Sequence, residues 1–253
     1  MKTDVIYNEE CLQGMSERIS DNSIDMILAD LPYGTTACKW DSVISLEPLW
    51  EQYKRIVKDD TAIVLTASQP FTTKLIASNV DWFKYYWIWV KPNGTDPFLA
   101  KKRPLNNIEE ICVFYKNQPT YNPQMKKAER YQRTSNNKEM GHTKAKRGKD
   151  YKYDSDMRYP TRTLEFKSPH QIGSNKEREN KSNHPTKKPV ALFEYLIKTY
   201  TDTDDIVLDN VIGSGTTSVA CKALDRKYIG FEQNDEYYKV AQERVSEVQK
   251  ELI

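Results

Sequence analysis

Asp30-Leu31-Pro32-Tyr33 closes an apolar run, Met26-Ile27-Leu28-Ala29, and Gly34 follows it. An acid, a proline and an aromatic ring at the end of a buried strand can act together on a flat heteroaromatic base. The carboxylate and a backbone carbonyl grip an exocyclic amine while the ring stacks on the base. The plain alternative for such a tetrapeptide is a strand end with a proline turn. A second cluster, Asp209-Asn210-Val211-Ile212-Gly213-Ser214-Gly215-Thr216-Thr217, lies far downstream. Glycines let the backbone pass close to a ligand, and a helix N-terminus presents N–H groups to a carboxylate or a ribose. Glu232 follows Gly215 by 17 residues, at the end of the next strand, where an acid can accept two ribose hydroxyls. A third glycine in dinucleotide spacing and a Gly-Lys-Thr are both absent, which weighs against NAD-binding and P-loop readings.

The elements that must hold these groups alternate between two periods. Val5–Tyr7, Ile24–Ala29, Thr61–Thr66, Phe83–Val90, Glu110–Tyr115, Ile206–Asp209 and Tyr228–Glu232 read as strands. Cys11–Ile19, Leu46–Lys58, Phe71–Ala77, a stretch from Pro189 through Tyr200, Thr216–Leu224 and Glu236–Gln249 read as helices. Alternation of this kind predicts an α/β fold: an open, mostly parallel twisted sheet with helices on both faces. Between Asn117 and Asn183 no period holds for long, and Lys, Arg, Asn, Ser and Tyr dominate. The expected division is therefore a first half over 1–116, a basic insertion over 117–183 and a second half over 184–253.

A chain of 253 residues suits one domain carrying such an insertion. Mean hydropathy is −0.78 with 38% hydrophobic residues, so some stretch must be strongly polar. Met125–Lys188 is that stretch: 12 Lys and 6 Arg stand against 3 Asp and 5 Glu, a surplus of ten positive charges. The whole chain is only +2, so the remainder carries eight net negative charges. A basic block on an acidic body points to a polyanion partner. Cys11, Cys38, Cys112 and Cys221 lack metal-ligand spacing and none follows a proline; His142, His170 and His184 are spread out, so no metal is expected. The apolar run Tyr85–Val90 is far too short to cross a bilayer and the first residues lack a signal-peptide core, so a cytoplasmic protein is expected.

Taken with His184-Pro185-Thr186-Lys187-Lys188-Pro189, the two clusters resemble the DNA amino-methyltransferases that use S-adenosylmethionine and modify N6 of adenine or N4 of cytosine. The catalytic motif of that family is Asp/Asn/Ser-Pro-Pro-Tyr/Phe, and its cofactor motif is a strand followed by Asp-Pro-Phe-x-Gly-Ser-Gly-Thr. The order seen here resembles the circularly permuted β class, with a Rossmann-like methyltransferase fold. The resemblance implies that Asp30, Leu31, Pro32 and Tyr33 are catalytic. It implies that Glu10, Cys11, Asp30, Lys188, Asp209, Asn210, Gly213, Ser214, Gly215, Thr216 and Glu232 hold the cofactor, S-adenosylmethionine.

The same resemblance makes the insertion the target recognition region. Candidates there for contact with double-stranded DNA are Lys126, Lys127, Arg130, Arg133, Lys144, Lys146, Arg147, Lys149, Arg158 and Arg162, interleaved with Tyr131, Tyr151, Tyr153 and Tyr159. Dimers and a cognate restriction endonuclease are further partners the resemblance brings. The chain departs from the family pattern at Leu31, at Asn210-Val211 in place of Pro-Phe, and at Glu10 where an Asp is frequent. Adenine N6 is the expected target because Asp heads the tetrapeptide. Cytosine N4, methylation of RNA or protein amides, and a non-catalytic DNA-binding module on the same fold are the alternatives.

Overall fold

The computed structural model describes residues 1–34, 43–95, 97–134, 152–167 and 188–248, with backbone alone for 129–134 and 152–155. Among these the order is β1 (Val5–Tyr7), α1 (Cys11–Arg18), β2 (Ile24–Ala29), α2 (Leu46–Ile56), β3 (Val57–Ala67), α3 (Phe71–Ala77), β4 (Phe83–Thr95), a 3-10 turn (Pro97–Leu99) and β5 (Asn106–Phe114). Then come β6 (Lys126–Thr134), β7 (Lys152–Arg158), β8 (Thr163–Glu165), α4 (Val190–Tyr200), β9 (Ile206–Asp209), α5 (Thr216–Ala223), β10 (Lys227–Phe231) and α6 (Asp235–Val248).

Eight strands form one sheet in the order β1-β10-β9-β2-β3-β5-β4-β8. Within it β5 alone runs antiparallel to its neighbours, so β4 points the same way as β3. Side-chain alternation explains how both faces are covered. Met26, Leu28, Ala62, Val64 and Val207 turn to one face, against Leu192, Phe193, Leu196 and Ile197 of α4, Ala220 and Cys221 of α5, and Ala241 and Val245 of α6. Ile27, Ala29, Ile63, Leu65 and Leu208 turn to the other, against Met15 of α1, Leu49, Trp50, Tyr53 and Ile56 of α2, and Phe71 and Leu75 of α3. Strands buried on both faces have to be apolar along their whole length, which is why Met26–Ala29 reads as an unbroken run.

Several boundaries differ from the expected ones. The helix expected over Leu46–Lys58 stops at Ile56, because pairing of Ile24 with Val57 draws the chain into β3. Strand β4 continues past Val90 to Thr95, where it finds Asn106 of β5 as a partner. The stretch expected to lack regular structure contains β6, β7 and β8. Strands β6 and β7 pair antiparallel in a compact unit of their own, Pro123–Thr161. Strand β8 belongs to the main sheet beside β4, with Ile88 opposite Thr163. Three residues are too few to show a period, and only Leu164 among them is buried.

Candidate active site

The two clusters meet at one edge of the sheet. Strands β2 and β9 are direct neighbours, with Ile27 opposite Leu208, so Asp30 and Asn210 leave the same end of paired parallel strands. Strand β10 lies on the far side of β9, and β1 beyond it, so Glu232 and Glu10 leave that end too. Connections diverge between β9 and β2, one running outward through β3 and the other through β10. Open α/β sheets bind ligands in the crevice at such a switch point, beyond the carboxyl ends of the strands.

Around Asp30 the charges are tightly organised. Its Oδ1 accepts hydrogen bonds from the Tyr33 hydroxyl at 2.9 Å and from the Thr66 hydroxyl, and pairs with Lys188 Nζ at 2.9 Å. Lys188 Nζ also reaches Glu109 Oε1 at 2.7 Å, and Glu109 Oε2 pairs with Lys91 Nζ at 2.6 Å. The Tyr33 hydroxyl lies 3.2 Å from Glu109 Oε1 as well. Burial alone would draw the Lys188 pKa down, but the charges of Asp30 and Glu109 outweigh it and hold the ammonium above its ordinary value. Burial would push Glu109 up, yet Lys188 and Lys91 keep its carboxyl below the usual range. The Tyr33 phenol is raised, first by burial and then by the two carboxylates, so it stays a donor. Its ring stacks on Phe71 at 5.5 Å, and Lys188 Nζ lies 5.7 Å from its centroid. Leu31 is buried in the core under this group.

The glycine turn is held from below and behind. Gly213 and Gly215 adopt φ of 53° and 81°, and a Cβ on Gly215 would stand 2.9 Å from Ala241 Cβ of α6. Helix α6 also sends Arg244 into the turn, where its guanidinium donates to the Ser214 carbonyl, to Ser214 Oγ at 3.0 Å and to Thr216 Oγ1 at 3.4 Å. Asp209 is 3% exposed; it accepts from Val211 N at 3.1 Å and from the Thr217 hydroxyl. Burial pushes its carboxyl up to about 7. Asn210 is 1% exposed and cross-links three elements: it accepts from Tyr53 Oη at 2.6 Å and donates to Cys11 Sγ at 3.6 Å. Burial raises the Cys11 thiol to about 12, so it stays protonated and unreactive.

Two acids rim the turn. Glu232 Oε2 accepts from Gly213 N at 3.0 Å and Oε1 from Asn234 N at 2.7 Å, while burial lifts its pKa. Glu10 caps α1 through Leu12 N at 3.0 Å and Gln13 N at 2.9 Å. Burial would raise its pKa, but these N–H groups overcome that and hold it below the ordinary value.

The sequence thus places Asp30, Tyr33, Gly213, Gly215 and Glu232 on one edge, and the structure adds what surrounds them. Asp209, Asn210 and Lys188 are buried and brace the two clusters from inside. Thr66, Lys91, Glu109, Tyr53 and Arg244 were not singled out from sequence. Glu109 carried no sequence signal of its own, standing beside Glu110 in the polar first half of β5, Asn-Asn-Ile-Glu-Glu. Of the basic candidates, Lys126 and Lys127 are exposed on β6, and Arg158 lies on β7. Arg162 belongs to the main unit, with its guanidinium 5.6 Å from the Tyr86 ring centroid. Lys144, Lys146, Arg147 and Lys149 lie outside the described residues, as do Cys38, His142, His170 and His184–Lys187, and the side chains of Arg130 and Arg133. No group able to hold a metal ion occurs among the described residues, and no helix among them is long and apolar enough to cross a membrane.

Comparison with known proteins gives the family and the fold. The N6/N4 family model described as DNA methylase matches residues 24–243. The chain is 27% identical to the type II methyltransferase M.HpaI of Haemophilus parainfluenzae, over 90% of this chain and 70% of that protein. It is 28% identical to M2.MboI of Moraxella bovis, over 96% and 88%. In fold it is similar to the M1.HpyAVI–SAM complex, with a TM-score of 0.62 at 24% identity over 95% and 98% of the two chains. It is also similar to the PvuII DNA methyltransferase (cytosine-N4-specific), with a TM-score of 0.70 at 16% identity over 99% and 91%. A match spanning both clusters and the sheet that unites them makes this chain a member of the N6/N4 DNA methylase family.

Proposed function

We propose that the chain transfers a methyl group from S-adenosylmethionine to N6 of an adenine turned out of double-stranded DNA. The observation that carries the reading is the convergence of Asp30 and the glycine turn at the ends of the paired strands β2 and β9. The residues present fit the cofactor. The first N–H groups of α5 and the left-handed turn at Gly213–Gly215 suit a carboxylate, and Glu232 at the end of β10 suits a pair of ribose hydroxyls. S-adenosylmethionine supplies a methyl group on a sulfonium. Glu10, Asp209, Asn210, Ser214 and Thr216 shape that pocket, and Lys188 joins it to Asp30.

An exocyclic amine is a poor nucleophile because its lone pair is delocalised into the ring. Asp30 and the Leu31 carbonyl accept its two N–H bonds and so direct the lone pair outward. Among the described residues the three donors on Asp30, Tyr33, Thr66 and Lys188, sit on Oδ1, and Oδ2 is the oxygen offered to the amine. Positive charge growing on nitrogen is met by the fixed carboxylate. Pro32 stiffens the turn, and Tyr33 lines the base site. The basic unit 123–161, with Lys126, Lys127, Arg130, Arg133 and Arg158, and Arg162 beside it, binds phosphates. Pairing with a restriction endonuclease and assembly as a dimer in the cytoplasm complete the reading.

Mass spectrometry of nucleosides from incubated chromosomal DNA tests it directly. N6-methyladenine is the expected product; N4-methylcytosine would move the target to the other base of the family. Asp30→Ala should lower turnover by about 10²–10³-fold with the circular dichroism spectrum unchanged. Turnover at the wild-type level by that variant would remove Asp30 from the chemistry.

A further inference from the structure

Strands β4 and β5 outrun the sheet. The last β5 residue with a partner on β3 is Glu110, opposite Ala67, and the last β4 residue with a partner on β8 is Val90, opposite Glu165. Beyond these, among the described residues, the two strands pair only with each other, down to the rung Thr95–Asn106. On β5 the rungs at Ile108 and Asn106 are two residues apart, so at about 3.3 Å per residue the paired strands run roughly 7 Å past Val90, and the longer stretch Val90 to Thr95 covers that interval with a bulge. Because β4 runs with β3 and β2, it leaves from the end that bears Asp30.

The tip is an ordered turn. Ala100 N bonds the Pro97 carbonyl at 3.2 Å, and Lys102 N and Arg103 N bond the Leu99 carbonyl at 2.8 and 3.0 Å. Gly94 is pressed against Leu105, since a Cβ there would lie 2.5 Å from the Leu105 Cβ. This scaffold holds Phe98 out at 97% exposure, against 67% for Tyr159, the next most exposed large hydrophobic residue described. Lys101, Lys102 and Arg103 are exposed beside it. Residues 91–105 hold four basic residues and one acid. At the root, Lys91 on β4 pairs with Glu109 on β5, and Glu109 pairs with Lys188 on Asp30.

A bare phenyl ring among cations is poorly served by water and well served by a base stack bordered by phosphates. Apolar side chains entering between base steps are a general means of opening a duplex. Removing a base from the stack costs a few kcal/mol, and an aromatic ring recovers part of that. We infer that Phe98 is a wedge that enters the duplex beside the target and fills the stack while the base turns toward Asp30, with Lys101, Lys102 and Arg103 on the neighbouring phosphates. The inference rests on the methyltransferase reading above.

Two duplexes carrying the site found by modification-sensitive sequencing provide the test. One is fully paired; the other has an abasic position opposite the target, so that the base is already loose. Phe98→Ala should lower kcat/KM at least roughly tenfold on the paired duplex and less than roughly threefold on the abasic one. Phe98→Trp should restore the paired duplex. Equal losses on both duplexes, or no loss on either, would overturn the wedge. So would a dimer without DNA that Phe98→Ala splits in sedimentation velocity, which would make Phe98 a contact between copies. Wild-type protein inactive on both duplexes would remove the methyltransferase reading and the wedge with it. A Phe98→Ala defect on the paired duplex alone leaves that reading intact.

Discussion

Asp30 and Asp209 stand one strand apart and are treated in opposite ways. Asp30 is half-buried among a lysine, a phenol and a hydroxyl. Asp209 is buried with one backbone N–H and one hydroxyl, and no cation is among its partners in the described residues. Burial then dominates and its pKa rises from 3.8 to about 7. An acid with a raised folded-state pKa holds, between these two values, a proton that the unfolded chain has released. Its favourable contribution is full below 3.8 and is lost as pH climbs to about 7. Asp209→Asn keeps an acceptor for Val211 N and has no charge to bury. The melting temperature of the variant relative to wild type should therefore increase between pH 5 and pH 8 in thermal melts. A difference independent of pH would show that Asp209 is ionised throughout. The two candidate clusters were readable because motif residues follow strands directly. Glu109, Lys91 and Thr66 were not, because what brings them to Asp30 is the register of β5 between β3 and β4. Asn210 shows the same limit: its role depends on Tyr53, 157 positions away.

Among the elements, the unit Pro123–Thr161 is the separable one. Both of its flanks are tied to the main unit. Asn122 bonds the Thr199 carbonyl through its N–H at 2.8 Å, and the Arg162 carbonyl accepts from Ile88 N at 2.7 Å. Replacing 123–161 with a Gly/Ser linker should leave the main sheet folded and cofactor binding intact by calorimetry, while binding to duplex DNA is lost. The deletion stops short of β8, because β8 completes the main sheet beside β4. Unchanged DNA affinity with the same salt dependence would place the phosphate contacts elsewhere. The paired strands of this unit escaped the sequence reading because β6, Lys-Lys-Ala-Glu-Arg-Tyr-Gln-Arg-Thr, offers no apolar alternation. The central strands announced themselves through burial on both faces.

For the molecule as a whole, cofactor binding and folding are linked. A ligand that binds only the folded state at 100 times its Kd stabilises it by about 2.7 kcal/mol, or roughly 5–11 °C in a chain of this size. S-adenosylmethionine should raise the melting temperature by that amount. Gly215→Val, strained by a positive φ and by Ala241, should abolish the rise. A rise retained in that variant would move the cofactor away from the glycine turn. The strand order has one more consequence. Strand β2 lies at the middle of the sheet, yet its partner β9 arrives very late: Ile206 N bonds Asp25, 181 positions earlier in the chain. During synthesis, β2 must wait with one margin unpaired while almost all of the polymer emerges. Contacts so distant along the chain make folding slow. The nascent protein should therefore depend on chaperones, and shortened translation products should aggregate through that unpaired margin.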